Sequence, residues 1–383
     1  MSTGRKILVT AVAVTISLSI AILLSSTLKR PDESQPRGKI RQSLDKDARG
    51  VGQPSISANV TKLTSSARMD RARELIQNLR SMAAKGADVQ ALCIAAHAPL
   101  SELRSLGVVA VATCIAEIAD KTSPVPLRVM LIELVSSLSG RNDPRLGQAL
   151  MAIIKDATDV KSVRMQALQW IPVVGDQTDG TVLVGMLPKQ TDSDLEFGIT
   201  RALRGFKVPN SVNVIKNELA DNKDYLIRIA AAHALAHQGE QEALTLLQST
   251  VATKLAAGTD QVHAKENAVA VHMVVALGEI PDASSLPILE SIVKNFHNSI
   301  SVRSKAAETI GSIGGPKAVQ ILSNALQEGT DESVLVYVAR GLARCGSAVD
   351  ASACLQKATA VTDSYTRSEL ERAARHLRGN TKP

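Results

Sequence analysis

Residues 302–326 read VRSKAAETIGSIGGPKAVQILSNAL, and the fold is decided in that stretch. A helical segment runs to Ile310 and Ile313, Gly314 and Gly315 stop it, and Pro316 starts a second one. Two short helices joined by a tight corner make a hairpin with an apolar seam. Working outward, Ile310 sits four positions before Gly314, and the same spacing returns at Ile171/Gly175, Leu235/Gly239 and Leu342/Gly346. Leu203 with Gly205 and Leu277 with Gly278 fill the role more tightly. The anchors Val135, Ile171, Leu203, Leu235, Leu277, Ile310 and Leu342 are 36, 32, 32, 42, 33 and 32 residues apart. A recurrence of that size predicts a solenoid, in which each hairpin stacks only on its neighbours.

The helix starts carry their own marks. Thr-Asp occurs at 158–159, 191–192, 259–260, 330–331 and 362–363, each ahead of an apolar-periodic stretch. A Thr or Asp there caps free backbone N–H groups, and its charge suits the positive end of the helix dipole. The glycines that follow the anchors are predicted to take the left-handed conformation of a helix C′ position. Earlier in the chain, an amphipathic helix is expected over 67–84, with two more around 88–97 and 101–118.

Composition narrows the function classes. Only seven of the 383 residues are aromatic, so the core must be built from Ala, Leu, Ile and Val. The formal charge of +7 is unevenly spread: residues 1–80 hold 14 Lys/Arg against 6 Asp/Glu, and residues 81–383 hold 30 against 31. A nucleic-acid reader carries its positive charge on the folded body and offers aromatic platforms to bases. Neither feature is legible here, and no nucleic-acid partner is expected.

The amino terminus reads as an anchor. A short basic segment, 1–6, precedes an uncharged run over 7–28 (ILVTAVAVTISLSIAILLSSTL), which Lys29, Arg30 and Pro31 end. At about 1.5 Å per residue such a run is long enough to cross a bilayer as one transmembrane signal-anchor helix. The alternative is a cleaved secretory signal, but Ser25, Ser26 and Thr27 make a poor cleavage site. The charge distribution around the span favours a cytoplasmic body, and the short basic start favours a body outside the cytoplasm. The expectation adopted is a single-pass membrane protein with a periplasmic-type body. Residues 29–64, rich in Pro, Gly, Ser, Gln and mixed charge, read as a flexible tether. A helical cap region over 65–122, about seven repeats over 123–360, and a capping helix with tail over 361–383 complete the division.

The stretch 302–326 resembles a HEAT repeat, in the short version of the phycobilisome-lyase-type HEAT-like proteins. Residues 227–247 and 163–187 match more loosely. The Val-Arg or Ile-Arg pair, the Ala-Ala, the Leu-Gly corner and the Gly-x-x-x-Ala turn carry the likeness. The resemblance implies an all-α fold, a right-handed α-solenoid of stacked hairpins, and it implies no activity, because the fold is a scaffold with many uses. Arg164, Arg228 and Arg303 occupy one repeat position, with Arg128 in the same place. The units holding Glu196, Ala270 and Leu335 lack that Arg, and the unit around 251–279 is longer than the rest.

Candidate chemistry reads mostly as structure. His233 and His237 are four apart, a spacing that places two imidazoles on one metal, yet no companion ligand is suitably spaced and a polar helix face accounts for both. Some HEAT-repeat hydroxylases hold iron through His-Glu dipeptides, and no His here precedes Glu. Asp192, Asp194 and Glu196 lack the Gly and terminal Glu of a calcium loop, and capping accounts for the first two. The recurrent arginines form either an exposed ladder or, as preferred, ion pairs that fix neighbouring hairpins. Buried free thiols are the default reading of the four cysteines, with a Cys345–Cys354 bond across one corner as the alternative. No catalytic, cofactor-binding or metal residue is assigned and no cofactor is expected. The expected role is a membrane-tethered scaffold that binds a protein or peptide partner without catalysis. The alternatives are an accessory or enzyme of the bilin-lyase kind, and a secreted soluble solenoid.

Overall fold

The computed structural model describes residues 63–379 except 87–88, 140–143, 221–222, 257 and 260–262. Among the described residues all regular elements are helices: α1 (Ser65–Ala83), α2 (Val89–Ala95), α3 (His97–Leu106), α4 (Val108–Ala119), α5 (Val125–Ser139), α6 (Pro144–Lys155), α7 (Lys161–Val174), α8 (Gln177–Met186), α9 (Ser193–Ala202), α10 (Val212–Asn217), α11 (Tyr225–Gln238), α12 (Gln241–Leu255), α13 (Ala264–Glu279), α14 (Leu286–Lys294), α15 (Ile300–Ile313), α16 (Gly315–Gln327), α17 (Glu332–Cys345), α18 (Ala348–Ala360) and α19 (Ser364–Gly379). Short 3₁₀ turns at Leu187–Lys189, Leu203–Gly205 and Ala283–Ser285 bridge some of them.

From α5 onward, first and second helices of hairpins alternate. The first helices α5, α7, α9, α11, α13, α15, α17 and the final α19 lie side by side, each against the next. The second helices touch their successors more sparingly. Closer spacing of one row than the other bends a stack toward the close row, so the first helices line its inner wall. All seven anchors have no exposed surface. Full burial of one Leu or Ile stabilises by roughly 1.5–3 kcal/mol, and all seven anchors belong to one continuous apolar core. The chain of small residues permits close layers: a Cβ on Gly311 of α15 would lie 2.4 Å from the Cα of Gly341 on α17.

The corner glycines serve two different needs. Gly239, with φ of 66° and ψ of 12°, ends α11 in the left-handed conformation predicted, whereas Gly314 shares the positive φ, 73°, but its ψ of −166° places it outside that region. Gly175 and Gly346 have φ of −79° and −82°, so the left-handed expectation fails there. They are needed for space instead, because a Cβ would come within 2.7 Å of the Ile171 or Leu342 carbonyl oxygen.

The helix expected over 101–118 is two helices, broken at Gly107 with φ 63°. The longer unit is explained by the connection after α12, which docks on the next loop. Thr259 donates its N–H to the His297 carbonyl at 2.7 Å, and Ser299 N–H donates to the Thr259 hydroxyl at 2.9 Å. The four cysteines are free, and Cys345 points its thiol at the Gly341 carbonyl of its own helix at 3.4 Å. A bond from Cys345 to Cys354 is therefore not made.

The single-pass membrane assignment is corrected. Among the described residues no helix is long and apolar enough to cross a membrane. Each helix of the stack must turn one face to solvent, and even the longest, α1, carries Arg68, Asp70, Arg71, Arg73, Glu74 and Arg80 within its 19 residues. The run 7–28 on which the expectation rested, and most of the tether 29–64, lie outside the described residues.

Candidate functional site

Two sets of polar side chains recur with the repeat, one buried and one on the inner wall. The buried set occupies the position seven residues before each anchor. Arg128 is 1% exposed, donates to both carboxylate oxygens of Asp159 at 2.7 Å, and donates from Nε to the Ile118 carbonyl at 2.7 Å. Ile118 lies in the last turn of α4, where carbonyls have no helical partner. Arg128 thus joins three elements: the end of the preceding helix, its own helix, and the start of the next hairpin. Arg303 repeats this with the Val293 carbonyl at 2.9 Å and with Asp331, and its guanidinium lies over the Phe296 ring 4.4 Å from the centroid. Arg228 pairs with Glu266 across the same step. Arg164 keeps the carbonyl bonds, to Ile154, but has no carboxylate partner among the described residues. The preferred reading of these arginines, as ties between hairpins rather than an exposed ladder, matches what the structure shows at Arg128, Arg228 and Arg303.

The unit lacking Arg at Glu196 keeps the tie with reversed polarity. Glu196 is 8% exposed and pairs with Lys223, which stands just before α11 where Asp159 and Asp331 stand before α7 and α17. Glu218 shares the site, and burial together with Glu196 beside it pushes its carboxyl up to about 7. Asp192 caps α9 through the Asp194 and Leu195 N–H groups, and Lys161 bridges Asp192 and Asp194 at 2.9 and 2.5 Å. These three acids therefore serve a cap and three ion pairs. The Thr-Asp marks divide likewise: Asp192 and Asp363 accept from N–H groups of their helices, Asp159 and Asp331 are arginine partners, and Asp260 is outside the described residues.

The inner wall is built from positions five and two before each anchor and two after it. On α11 these are Ala230, His233 and His237, on α13 His272, Val275 and Glu279, on α15 Lys305, Glu308 and Ser312, and on α17 Tyr337, Arg340 and Arg344. All but Ala230 and Val275 carry a polar group, and side chains join across the helices. His233 meets Glu279 at 3.0 Å through Nδ1 and His272 at 3.0 Å through Nε2, the two rings edge to face at 76°. Arg204 reaches the same Glu279 oxygen at 2.7 Å, and Arg344 donates to the Ser312 hydroxyl at 2.9 Å. Burial raises the Glu279 carboxyl, but His233 and Arg204 more than offset it and hold it below the usual range. Burial and the His233 ring together lower His272. The polar-face reading of His233 and His237 holds differently for each: His237 is exposed, whereas His233 is engaged with the neighbouring helix. Sequence reasoning missed the wall as a unit. Its signal was available, since the offsets are counted from anchors already found.

Among the described residues no group of three or more His, Cys, Asp or Glu side chains is placed to hold a metal ion. A groove of about 410 Å³ lies outside the wall, between α10 and α12, lined by Val212, Lys216, Glu242 and Leu246 among others. Its lining is shared between apolar surface and two solvated charges.

Comparison with known proteins agrees with this architecture. The family model described as HEAT repeats matches residues 258–343. Deoxyhypusine hydroxylase of Danio rerio is 28% identical over 111 residues, which are 27% of this chain and 35% of that protein. The match thus spans about a third of that relative. Among solved structures, Kap121p bound to Pho4p superposes with a TM-score of 0.54 at 15% identity, over 83% of this chain and 39% of that one. The complex of CpcE and CpcF of phycocyanin lyase from Nostoc sp. is similar over 60% of this chain and 94% of that one, at 17% identity and a TM-score of 0.39. The likeness to Kap121p shows the fold alone. With the buried arginine ties and the two rows of helices, residues 258–343 carry HEAT repeats within a helical solenoid fold.

Proposed function

We propose that the chain is a scaffold whose inner first-helix wall binds a protein or peptide partner. The observation that carries the reading is the wall itself: polar and charged side chains recur at shared offsets on α11, α13, α15 and α17, bridged across helices by the Arg204–Glu279–His233–His272 chain. A buried core needs none of these groups, since the anchors already fill the seams. Kap121p, solved bound to Pho4p, offers a parallel for a solenoid that holds another protein. The division into a cap region 65–122, repeats 123–360 and a terminal helix over 361–383 belongs to the same proposal.

A photo-crosslinking amino acid at Ser312 on the wall tests the reading against one at Ser352 on α18, both in the full chain. Partner peptides are expected on the wall probe and not on the α18 probe. Equal capture by both probes sinks the proposal.

An enzyme-like role is the second reading, favoured by the alignment with deoxyhypusine hydroxylase over 111 residues and by the His233–His272–Glu279 chain, which can pass or hold a proton. Its test is turnover of candidate amine or chromophore substrates. Activity retained in His233→Ala and His272→Ala removes this site from it.

A further inference from the structure

The inner wall is electrically uneven. Toward α15 and α17 Lys305 is matched by Glu308 and Arg340 by Glu369 at 2.9 Å, while Arg344 is held by a hydroxyl, that of Ser312. Toward α9 and α11 the charges are not matched. Arg201, Arg204, Lys207 and His237 meet there, and the carboxylate among them, Glu279, is engaged by both Arg204 and His233.

Arg201 is solvent-exposed and has no ion-pair partner among the described residues. Partial desolvation followed by the nearby Arg204 lowers its pKa. Arg204 keeps 54% of its side chain exposed even while paired with Glu279. Lys207 is presented by a built support. The buried Gln238 accepts from the Val208 N–H at 2.8 Å and donates to the Phe206 carbonyl at 3.1 Å, so the backbone on both sides of Lys207 is fixed. Burial and then Lys207 and Arg204 lower the His237 imidazole. Like charges are held together by the fold, and among the described residues Glu279 is shared between Arg204 and His233 while no ion pair reaches Arg201. The chain's own segment 29–64 does not fit, because Lys and Arg outnumber Asp and Glu there.

We infer that this end of the wall, at Arg201, Arg204, Lys207 and His237, docks an acidic segment of a polypeptide partner, its Asp or Glu carboxylates seated between the guanidinium groups. The inference rests on the scaffold reading and names the chemistry of its partner. Arginine favours carboxylates by its planar two-pronged geometry. A nucleic acid is disfavoured because it needs a long track of phosphate contacts and aromatic stacking, whereas the charge here is confined to one end and the wall tyrosine Tyr337 lies at the other.

The test measures fluorescence anisotropy of a labelled decapeptide of alternating Glu and Gly against the full chain. Binding is expected, weakening as NaCl rises from about 50 to about 300 mM. Arg201→Glu with Arg204→Glu is expected to weaken it about tenfold or more, and the milder Arg201→Gln with Lys207→Gln by a smaller factor. Lys317→Glu, the same net charge change as the milder pair but on the exposed face of α16, is expected to leave it within about twofold. Circular dichroism melts establish that each variant is folded. Unchanged binding in both wall variants overturns the inference, as does tighter binding of a single-stranded DNA decamer. If the Ser312 probe captures a partner whose sequence holds no acidic segment, this inference falls and the scaffold reading stands. If the wall probe captures nothing, both fall.

Discussion

The hairpin α15–α16 and the hairpin α9–α10 use one plan with opposite charges. In α15–α16 an arginine, Arg303, sits seven residues before the anchor and reaches forward to Asp331 at the head of the next hairpin. In α9–α10 the same position is Glu196, and the group reached forward to is Lys223. The first hairpin lies within the family match and has a thirteen-residue second helix. The second lies outside it, and its second helix, α10, has six residues. What the repeat preserves, then, is a polar tie between successive hairpins rather than an arginine. Where the tie is absent, at Ala270 and Leu335, buried apolar side chains fill the position.

The largest effect should come from emptying one side of the most buried tie. Arg128→Ala leaves Asp159, 8% exposed, without its partner and should cost about 3–5 kcal/mol in urea unfolding. Arg164→Ala, which strands no carboxylate, should cost about 1–2 kcal/mol. Equal losses would show that the carboxylate contributes nothing. Arg128→Met combined with Asp159→Leu should recover most of the stability.

Next comes the packing that the matched hairpin allows. Gly311→Ala pushes a methyl into the α17 backbone and should cost about 1–3 kcal/mol. Gly198→Ala on α9 meets Leu168 and Met165 side-chain ends at 2.9 and 3.1 Å, which can move, and should cost about 1 kcal/mol or less. Thermal melts that rank the two the other way would show that α9, not α15, is the tighter crossing.

Reversal of polarity can be tested by reversing it again. Glu196→Arg alone places a cation against Lys223 and should cost about 1–2 kcal/mol, since Lys223 is 30% exposed and partly screened. Adding Lys223→Glu should return most of that loss. A double-mutant cycle with no coupling would mean that Glu196 and Arg303 are not equivalent.

The smallest effect concerns Glu218 and pH. Its carboxyl titrates at about 7 in the folded chain, raised first by burial and then by Glu196. A raised carboxyl holds its proton more tightly folded than unfolded. Its contribution to stability is therefore full below the unfolded value of about 4.3 and fades as pH rises toward about 7. Glu218→Gln should flatten that decline and raise stability at pH ~8 by about 1 kcal/mol. A decline between pH ~5 and ~7 that persists in the variant would assign it to other groups. Asp159 runs the opposite way: Arg128 lowers its pKa, so its contribution is present above the unfolded value and is lost only in acid.

Much of the architecture is legible in the chain, and for a physical reason. A solenoid repeats its local environment, so Ile171, Leu203, Leu235, Leu277, Ile310 and Leu342 each report the same seam, and their spacing alone gives the hairpins. The corner glycines are also legible as corners. Their cause is not, because φ at Gly239 and crowding at Gly175 leave the same letter in the sequence. The buried arginines could be read as ties because they share a position, but Glu196 could not, since a reversed ion pair breaks the pattern of residue types while keeping the pattern of contacts. The wall was overlooked for a related reason: its offsets from the anchors could be counted, but His233 lies 39 and 46 residues before His272 and Glu279, on the preceding repeat, and no local pattern marks them as partners.

The sequence by itself determined the period, the helical class and the buried anchors, because those depend on spacing within one hairpin and on burial common to all. Tertiary structure alone decided which polar groups meet. Arg204 on one repeat, His233 on the next and Glu279 on the one after come together only once the first helices are stacked at close spacing. Local propensity acts within a few residues, whereas ion pairing acts through space, and the stack converts separations of 46 and 75 residues into contacts of 3.0 and 2.7 Å.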